Sequence, residues 1–415
     1  MLSKLANLPQ SLKQYLIITG NYWGFTLTDG ALRMLVVLHF HQLGYNALSI
    51  ATLFLFYEIF GVVTNLVGGW LGAKWGLNRT MNIGLAMQVI ALLMLAIPNE
   101  FLTIAYVMAA QALSGIAKDL NKMSAKSSIK FLVSGNENNK LYQWIALLTG
   151  SKNALKGVGF FLGGVLLTVL GFSNAMIAMA AFLFCLWCFS LFALSGDIGK
   201  AKNKPKFKEM FSKSRSINVL SAARLFLFGA RDVWFVVALP VFLAQIFDWD
   251  HWWVGGFMAS WVIAYGVVQS IAPKITGNGK HGPYAPSGRA AVKWAALLTL
   301  IPALIAAALT MDFYVKASLI GGLLIFGALF AVNSSLHSYL IVRFAGNDGV
   351  SLDVGFYYMA NAMGRLVGTV LSGLIYQSYG LTACLWVSTA FIALATLLSL
   401  KLPSQDGDIN KLSTQ

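Results

Sequence analysis

The sequence predicts an all-α integral membrane protein, a bundle of twelve transmembrane helices arranged as two six-helix halves. Of the 415 residues, 58% are hydrophobic and 11% are charged, whereas a soluble protein of this length carries about 25% charged residues. The apolar residues fall into runs of about 20 residues or more, which is the length needed to cross the hydrocarbon core. One long basic segment separates the first six runs from the last six.

Each apolar run is predicted to be a helix, because a segment in lipid must satisfy its own backbone hydrogen bonds and these runs are too long for barrel strands. The first run exceeds the apolar core of a signal peptide and has no cleavage site behind it, so we expect it to be a span. The predicted spans are 15–41, 47–72, 80–98, 102–124, 141–171, 174–196, 218–246, 252–274, 290–310, 314–344, 352–378 and 382–401.

Basic residues lie in the segments that follow spans two, four, six, eight and ten, while the segments on the other side carry almost none. The positive-inside rule then predicts that both termini are cytoplasmic. The longest basic segment is predicted to be a linker beside anionic lipid, which gives a first half 1–196, a linker 197–217 and a second half 218–415. This rule and the buried charges explain the net charge of +15 without nucleic-acid binding.

Charged residues are absent from the central portions of spans three, six, nine and twelve, and they occur inside spans one, two, four, five, seven and eleven. A charge at mid-bilayer costs about 2.5–3.5 kcal/mol, so it normally faces a cavity or a partner. Every third helix is therefore predicted to face lipid, while the others enclose a polar interior. Its cations, the candidate substrate ligands, are Arg33, Lys118, Lys122, Lys152, Lys156, Arg231 and Arg365. Its carboxylates, the candidate proton-coupling groups, are Asp29, Glu58, Asp119 and Asp232.

The excess of cations in this interior predicts an anionic small-molecule substrate, since buried cations need anions. Asp29 and Arg33 are one helical turn apart and are expected to neutralise each other. Lys118 and Lys122 share a helix face, and Asp119 is expected to point away from it. Arginine suits phosphate or carboxylate groups because its guanidinium binds them through two hydrogen bonds. The alternative is that these charges form structural ion pairs.

The two halves contain a weak internal repeat. A shift of 209 positions places residues 156–159 on residues 365–368, so that Lys156 corresponds to Arg365. Both segments lie in the fifth span of their half. Duplicated six-span halves are a transporter design.

Two features resemble the major facilitator superfamily. The first is the pattern of charge-free spans, because the third helix of each three-helix repeat lies outside in that fold. The second is the segment 69–79 between spans two and three, whose glycines and Lys74 match the superfamily signature. Ala73 stands where that signature has an aspartate, and Leu77 and Asn78 replace two basic residues.

Residues 20–33, 112–130 and 150–157 together resemble the organoarsenical efflux transporters of this superfamily. The resemblance implies export of 1-arseno-3-phosphoglycerate from a bacterial cell through its inner membrane. It also implies a functional link to the cytoplasmic glyceraldehyde-3-phosphate dehydrogenase that makes this substrate. A basic cavity fits this anion, and it would equally fit an ordinary organophosphate.

Two other functions stay open at this stage. One is a carrier of the same fold for another organic anion or phosphoester. The other is a membrane enzyme, although no nucleophile–base pair or metal-ligand spacing in the sequence supports one. We expect no cofactor and no metal. Cys185, Cys188 and Cys384 are expected to be apolar membrane residues, with no thiol pair in a polar-lined span to bind trivalent arsenic.

Proton antiport is the expected coupling mode, with Asp29 and Asp232 the favoured proton carriers. Four carboxylates in the membrane are energetically costly, which indicates that they have a function. Uniport is the alternative, since an inside-negative potential already favours export of an anion by about 2.3 kcal/mol per charge per 100 mV.

Overall fold

The computed structural model of the protein describes residues 9–45, 53–133, 138–194, 198–202, 206–211, 213–276, 278–279, 282–283 and 286–403. A two-residue hairpin pairs β1 (Asn278–Gly279) with β2 (Gly282–Pro283), and 3₁₀ turns occupy Asn99–Phe101 and Phe207–Met210. All other regular structure in these residues is α-helical, which confirms the predicted all-α fold. The helices are α1 Gln10–Gln42, α2 Leu55–Trp75, α3 Leu77–Leu95, α4 Ile104–Leu132, α5 Asn138–Leu170, α6 Phe172–Ala193, α7 Arg215–Phe235, α8 Ala238–Ile246, α9 His251–Thr276, α10 Gly288–Thr310, α11 Val315–Phe344 and α12 Val350–Ser399.

The predicted spans map onto these helices with two differences. Span seven consists of α7 followed by α8, and spans eleven and twelve both lie in α12, which bends sharply at Gly380. At this residue φ is +74°, a conformation that glycine adopts without strain. Parts of the predicted spans and linker lie outside the described residues, namely 47–52, 195–197, 203–205 and 212, together with 1–8 and 404–415 at the ends of the two halves.

The break between α7 and α8 follows from Pro240. Proline has no N–H, and its ring clashes with the carbonyl four residues earlier, here that of Val236. The helix therefore ends at Phe235 and restarts at Ala238. The Ala238 N–H donates instead to Ser372 Oγ at 3.1 Å, so the backbone group freed by the break is satisfied.

Nine helical segments within the described residues are long and apolar enough to cross a membrane. Helices α1 and α4 are outside this set because polar and charged residues interrupt their apolar runs. They are the helices that carry Asp29, Arg33, Lys118 and Lys122. The two helices least compatible with lipid are thus those in which the sequence places most of the buried charges of the first half.

The chain forms two compact units. Unit one comprises Met1–Glu137, Ser151–Phe211 and Ala345–Met359. Unit two comprises Asn138–Gly150, Ser212–Phe344 and Ala360–Gln415. The first turns of α5 therefore belong to unit two, and the first turns of α12 belong to unit one. The division into halves at a linker 197–217 stays a prediction.

Glycines bring two helices of each unit into backbone contact. In unit one, a Cβ on Gly159 of α5 would lie 2.6 Å from the Leu27 carbonyl oxygen and 3.0 Å from the Gly30 Cα of α1. In unit two, a Cβ on Gly368 of α12 would lie 2.6 Å from the Gly229 carbonyl oxygen of α7. Gly159 and Gly368 correspond in the internal repeat, so the same position has the same packing role in both units.

Candidate functional site

A cluster of charged residues in unit one is centred on Tyr57 of α2, whose side chain is fully buried. The Tyr57 hydroxyl donates to Asp29 Oδ1 of α1 at 2.6 Å. The Arg33 guanidinium carbon lies 4.1 Å from the centre of the Tyr57 ring, and Lys118 Nζ of α4 lies 3.7 Å from it. Two cations from different helices therefore contact one aromatic ring, which attracts them through its quadrupole. We call these four residues the Tyr57 cluster.

The ion pairing of Arg33 differs from the prediction. Arg33 Nη2 lies 3.0 Å from Glu58 Oε1 of α2, which is the ion pair that the structure gives this arginine. Asp29, the expected partner, accepts a hydrogen bond from Tyr57 instead. Contact between α1 and α2 decides the pairing, and the spacing within one helix could not reveal it.

Asp119 of α4 does not point away from the neighbouring lysines, so that expectation was wrong. Its Oδ1 lies 2.6 Å from Lys122 Nζ, and its Oδ2 lies 4.0 Å from Lys118 Nζ. Residues three apart on a helix are neighbours on its surface, which explains the contact with Lys122. The Asp119 side chain is 1% exposed, while those of the two lysines are 18% and 15% exposed.

The lysines of α4 continue beyond this pair at four-residue intervals. Lys122 Nζ lies 4.9 Å and Lys126 Nζ 4.7 Å from the centre of the Tyr358 ring. Lys126 also donates a hydrogen bond to the Tyr358 hydroxyl, and Lys130 donates to the Ala345 carbonyl. All these residues belong to unit one. A stripe of cations thus runs along α4 from the Tyr57 cluster to the end of the helix.

Unit two has its own cluster around Asp232 of α7, whose side chain is fully buried. Asp232 Oδ1 lies 2.5 Å from Arg231 Nη2, and Asp232 Oδ2 lies 3.1 Å from Arg365 Nε of α12. The approach of α12 to α7 at Gly368 brings Arg365 within reach, since a Cβ on Gly368 would lie 3.0 Å from the Asp232 Cβ. We call Arg231, Asp232 and Arg365 the Asp232 cluster.

Aromatic rings surround Arg231. Its guanidinium carbon lies 5.1 Å from the Phe228 ring centre, 5.8 Å from that of Phe235 and 5.5 Å from that of Phe330. Its side chain is 15% exposed. A guanidinium with so little water around it has a strong need for anionic partners.

Lys152 and Lys156 lie on the part of α5 that belongs to unit one, and both side chains are partly buried. The Lys156 carbonyl oxygen would be 2.7 Å from a Cβ on Gly30, the residue next to Asp29. The Lys156 backbone therefore lies against α1 at the level of the Tyr57 cluster. Its Nζ lies 5.9 Å from the Phe160 ring centre, and Lys152 Nζ donates to Asn153 Oδ1 at 3.4 Å.

The sequence profile of the Major Facilitator Superfamily matches residues 15–348. The chain belongs to the Major Facilitator Superfamily. Members of this superfamily are transporters, so the chain is a multi-pass membrane transporter. No curated protein matches the chain.

Solved structures of several transporters share the fold. A bacterial homologue of the iron transporter ferroportin, in an outward-facing state, has a TM-score of 0.73 and 15% identity over 95% of this chain and 99% of its own. The human organic anion transporter MFSD10 (TETRAN) has a TM-score of 0.72 and 17% identity over 94% of this chain and all of its own. The proton:xylose symporter XylE has a TM-score of 0.68 and 12% identity over 94% and 95% of the two chains.

The predicted site residues of this superfamily member therefore fall into two groups. The structure brings Asp29, Arg33, Glu58, Lys118, Asp119 and Lys122 together in unit one, and Arg231, Asp232 and Arg365 together in unit two. Lys152 and Lys156 occupy the neighbouring surface of α5. Within the described residues no group of three or more His, Cys, Asp or Glu side chains is placed to hold a metal ion.

Some residues of these clusters were missed by sequence reasoning. Tyr57 and Tyr358 hold cations through their rings, and a tyrosine in an apolar helix gives no sequence signal for this role. Arg224 of α7 is a buried cation outside the predicted site residues. It donates to Asn361 Oδ1 at 2.8 Å and to the Ser334 carbonyl at 3.2 Å, so it ties α7 to α12 and α11.

Proposed function

We propose that this transporter exports a small organic anion that carries phosphate-like groups, and that 1-arseno-3-phosphoglycerate is its substrate. The observation that carries the proposal is the charge of the Asp232 cluster. Two arginines share one carboxylate there, and the Arg365 side chain remains 33% exposed. A partly exposed guanidinium beside a second one is a suitable binding group for a phosphate or arsenate ester.

Unit one supports the same substrate class. Arg33 and Lys118 rest on a neutral ring, and their side chains remain 20% and 18% exposed. Lys152 and Lys156 add positive charge on the adjacent surface of α5. We propose Arg33, Lys118, Lys122, Lys152, Lys156, Arg231 and Arg365 as the residues from which the anion draws its contacts. The likeness to an organic anion transporter is compatible with this proposal, although at 17% identity it bears on the fold alone.

The positive charge of the two clusters would suit many phosphate-like anions. We propose the arsenic ester among them because of the resemblance to organoarsenical efflux transporters. On this proposal the protein lies in a bacterial inner membrane with both termini in the cytoplasm. Glyceraldehyde-3-phosphate dehydrogenase makes the substrate on the cytoplasmic side. The result for the cell is resistance to arsenate.

Two coupling modes follow from the charges. Uniport needs only the membrane potential, which expels an anion from an inside-negative compartment. Proton antiport needs a carboxylate that exchanges protons during the cycle, and Asp29, Glu58, Asp119 and Asp232 are the candidates. A pH gradient imposed on vesicles in which the membrane potential is clamped separates these modes, because only antiport responds to it.

Arsenate tolerance of cells tests the substrate. Cells that express this protein together with the dehydrogenase should grow in arsenate, while cells with either protein alone should not. Arg365→Ala should abolish the protection, and Lys206→Ala, a change in the exposed basic segment, should leave it intact. If vesicles take up 3-phosphoglycerate but the cells gain no tolerance, the protein is a carrier of another phosphoester. A chemically altered substrate after uptake would instead indicate an enzyme.

A further inference from the structure

The basic segment after α6 packs back onto the turn between α2 and α3. The Ala201 N–H donates to the Ala73 carbonyl at 2.9 Å. The Leu77 N–H donates to the Ile198 carbonyl at 2.8 Å. In a continuous helix Leu77 would donate to Ala73, four residues earlier, but Gly76, with φ of +95°, interrupts the helix between α2 and α3. The basic segment therefore supplies the hydrogen bonds that this interruption removes.

The same segment has further contacts within unit one. The Lys202 N–H donates to Asp348 Oδ1 at 3.0 Å, which joins the segment to the connection between α11 and α12. Met210, the last residue of the 3₁₀ turn that begins at Phe207, is 1% exposed. All these residues belong to unit one, whose continuous part ends at Phe211. The described residues of the segment up to this point are thus packed on unit one, which fixes the direction of the 3₁₀ turn.

The 3₁₀ turn lies at the level of the membrane boundary. The ring centre of Phe207 is 5.9 Å from that of Trp70. Trp70 lies near the end of Leu55–Trp75, a helix long and apolar enough to cross a membrane. Tryptophan side chains are enriched where hydrocarbon meets the lipid headgroups. Lys74 Nζ, in the last turn of this helix, lies 4.5 Å from the Trp70 ring centre and supports the same level.

Aromatic and basic side chains are exposed together on this part of the chain. Phe207 and Phe211 are 57% and 59% exposed, so burial inside unit one does not account for them. Lys200 and Lys202 are also exposed. Apolar rings beside lysines are typical of segments that lie on the surface of an anionic membrane. We call these four residues the linker surface.

We propose that the linker surface binds anionic lipid headgroups, with Phe207 and Phe211 inserted at the boundary of the hydrocarbon and the lysines in contact with headgroup phosphates. The charge favours this partner, because residues 198–211 contain five lysines and one glutamate, a sum of +4. An anionic leaflet attracts such a segment through its negative surface potential. The inference goes beyond the proposed function and does not depend on it, because none of these residues belongs to the Tyr57 or Asp232 cluster.

Spin labels on the full-length protein in bilayers test the insertion. Phe211→Cys and Glu209→Cys are labelled separately with a nitroxide, in a protein that also carries Cys185→Ser and Cys188→Ser; Cys384 is fully buried. Glu209 is an exposed residue of the same turn and is the matched control. In bilayers that contain phosphatidylglycerol, oxygen should relax the label at residue 211 more than a water-soluble nickel complex does. The label at residue 209 should show the reverse, and the label at residue 211 should lie less deep in phosphatidylcholine alone.

A second measurement tests the charge. A lipid that binds the folded protein raises its melting temperature, so phosphatidylglycerol should raise it more than phosphatidylcholine does. Lys200→Glu combined with Lys202→Glu brings the sum for residues 198–211 from +4 to zero, because each change removes two charges. This double variant should lose the difference between the two lipids. Arg289→Glu combined with Lys293→Glu makes the same change in charge at two exposed residues of unit two and should keep it.

The two measurements fail in different ways. A label at residue 211 that is as accessible to the nickel complex as the label at residue 209 would overturn the insertion. Equal depth at residue 211 in both bilayers would overturn the role of anionic headgroups. Equal loss of the lipid difference in both double variants would also overturn it, because the lipid would then respond to total charge alone. The labels decide the question even if Lys200→Glu with Lys202→Glu does not fold, and the proposed function stands in each case because no transported anion is involved.

Discussion

The hydroxyl of Tyr57 provides the sharpest test of the cluster in unit one. Tyr57→Phe removes the 2.6 Å hydrogen bond to Asp29 and keeps the ring on which Arg33 and Lys118 rest. A hydrogen bond to a charged group is worth about 1.5–3 kcal/mol, which corresponds to about 10- to 150-fold in an equilibrium constant. Because Asp29 is 4% exposed, water cannot easily replace the lost donor.

Tyr57→Phe should therefore change the transport driven by a pH gradient more than it changes substrate binding. If Asp29 is a proton carrier, Tyr57→Phe should reduce the uptake driven by a pH gradient about tenfold or more, as Asp29→Asn should. Exchange of labelled for unlabelled substrate should stay within about threefold of the parent, because both cations keep their aromatic contact. Both rates are measured in reconstituted vesicles with 3-phosphoglycerate as substrate.

Tyr358→Phe is the matched control, because Tyr358 also holds two cations through its ring. Its hydroxyl accepts a hydrogen bond from Lys126, whereas the hydroxyl of Tyr57 donates one to the Asp29 carboxylate. This variant should keep the response to the pH gradient. The reasoning is refuted if Tyr57→Phe responds to the gradient like the parent, or if it loses exchange and gradient-driven uptake to the same extent.

Three other outcomes are expected. Gly163→Leu should lower the yield of folded protein, because a Cβ at this position would lie 2.5 Å from the Ala31 carbonyl oxygen. Gly164→Leu, with open space around its Cβ, should be tolerated. Fluorescence-detected size-exclusion chromatography measures the folded yield of both variants. Lys156→Ala and Arg365→Ala should each abolish vesicle uptake with normal folded yield, and wild-type uptake by either would contradict their roles. Cells should be protected against arsenate and not against arsenite, since the polar-lined spans have no thiol pair for trivalent arsenic; equal growth in arsenite would contradict the proposed substrate class.

The sequence could predict the fold because lipid imposes strong constraints on it. Run length, the lack of charge in every third span and the basic linker each follow from the cost of polar groups in hydrocarbon. The break after Phe235 was missed, although Pro240 marks it. The single helical segment Val350–Ser399 was predicted as two spans, and the bend at Gly380 lies between those two spans.

The charged residues of the site could be predicted one by one, but their partners could not. Spacing along a helix suggested that Asp29 pairs with Arg33, whereas the structure pairs Arg33 with Glu58 on the next helix. Relative rotation and height of two helices decide such a contact, and neither is encoded in a local pattern. The contact of Arg365 with Asp232 likewise depends on how closely α12 approaches α7 at Gly368.

The buried charges are more easily explained by a function than by stability. Replacing a buried ion pair with apolar residues of similar size is often neutral or stabilising, because desolvation of both charges offsets most of their attraction. Asp232 with its two arginines and Asp119 with its two lysines therefore stabilise the protein no better than apolar residues of similar size would. In both places the carboxylate is almost inaccessible and the cations are partly exposed. A site that receives an anion from solvent needs accessible cations, and the partial exposure of these lysines and arginines provides them.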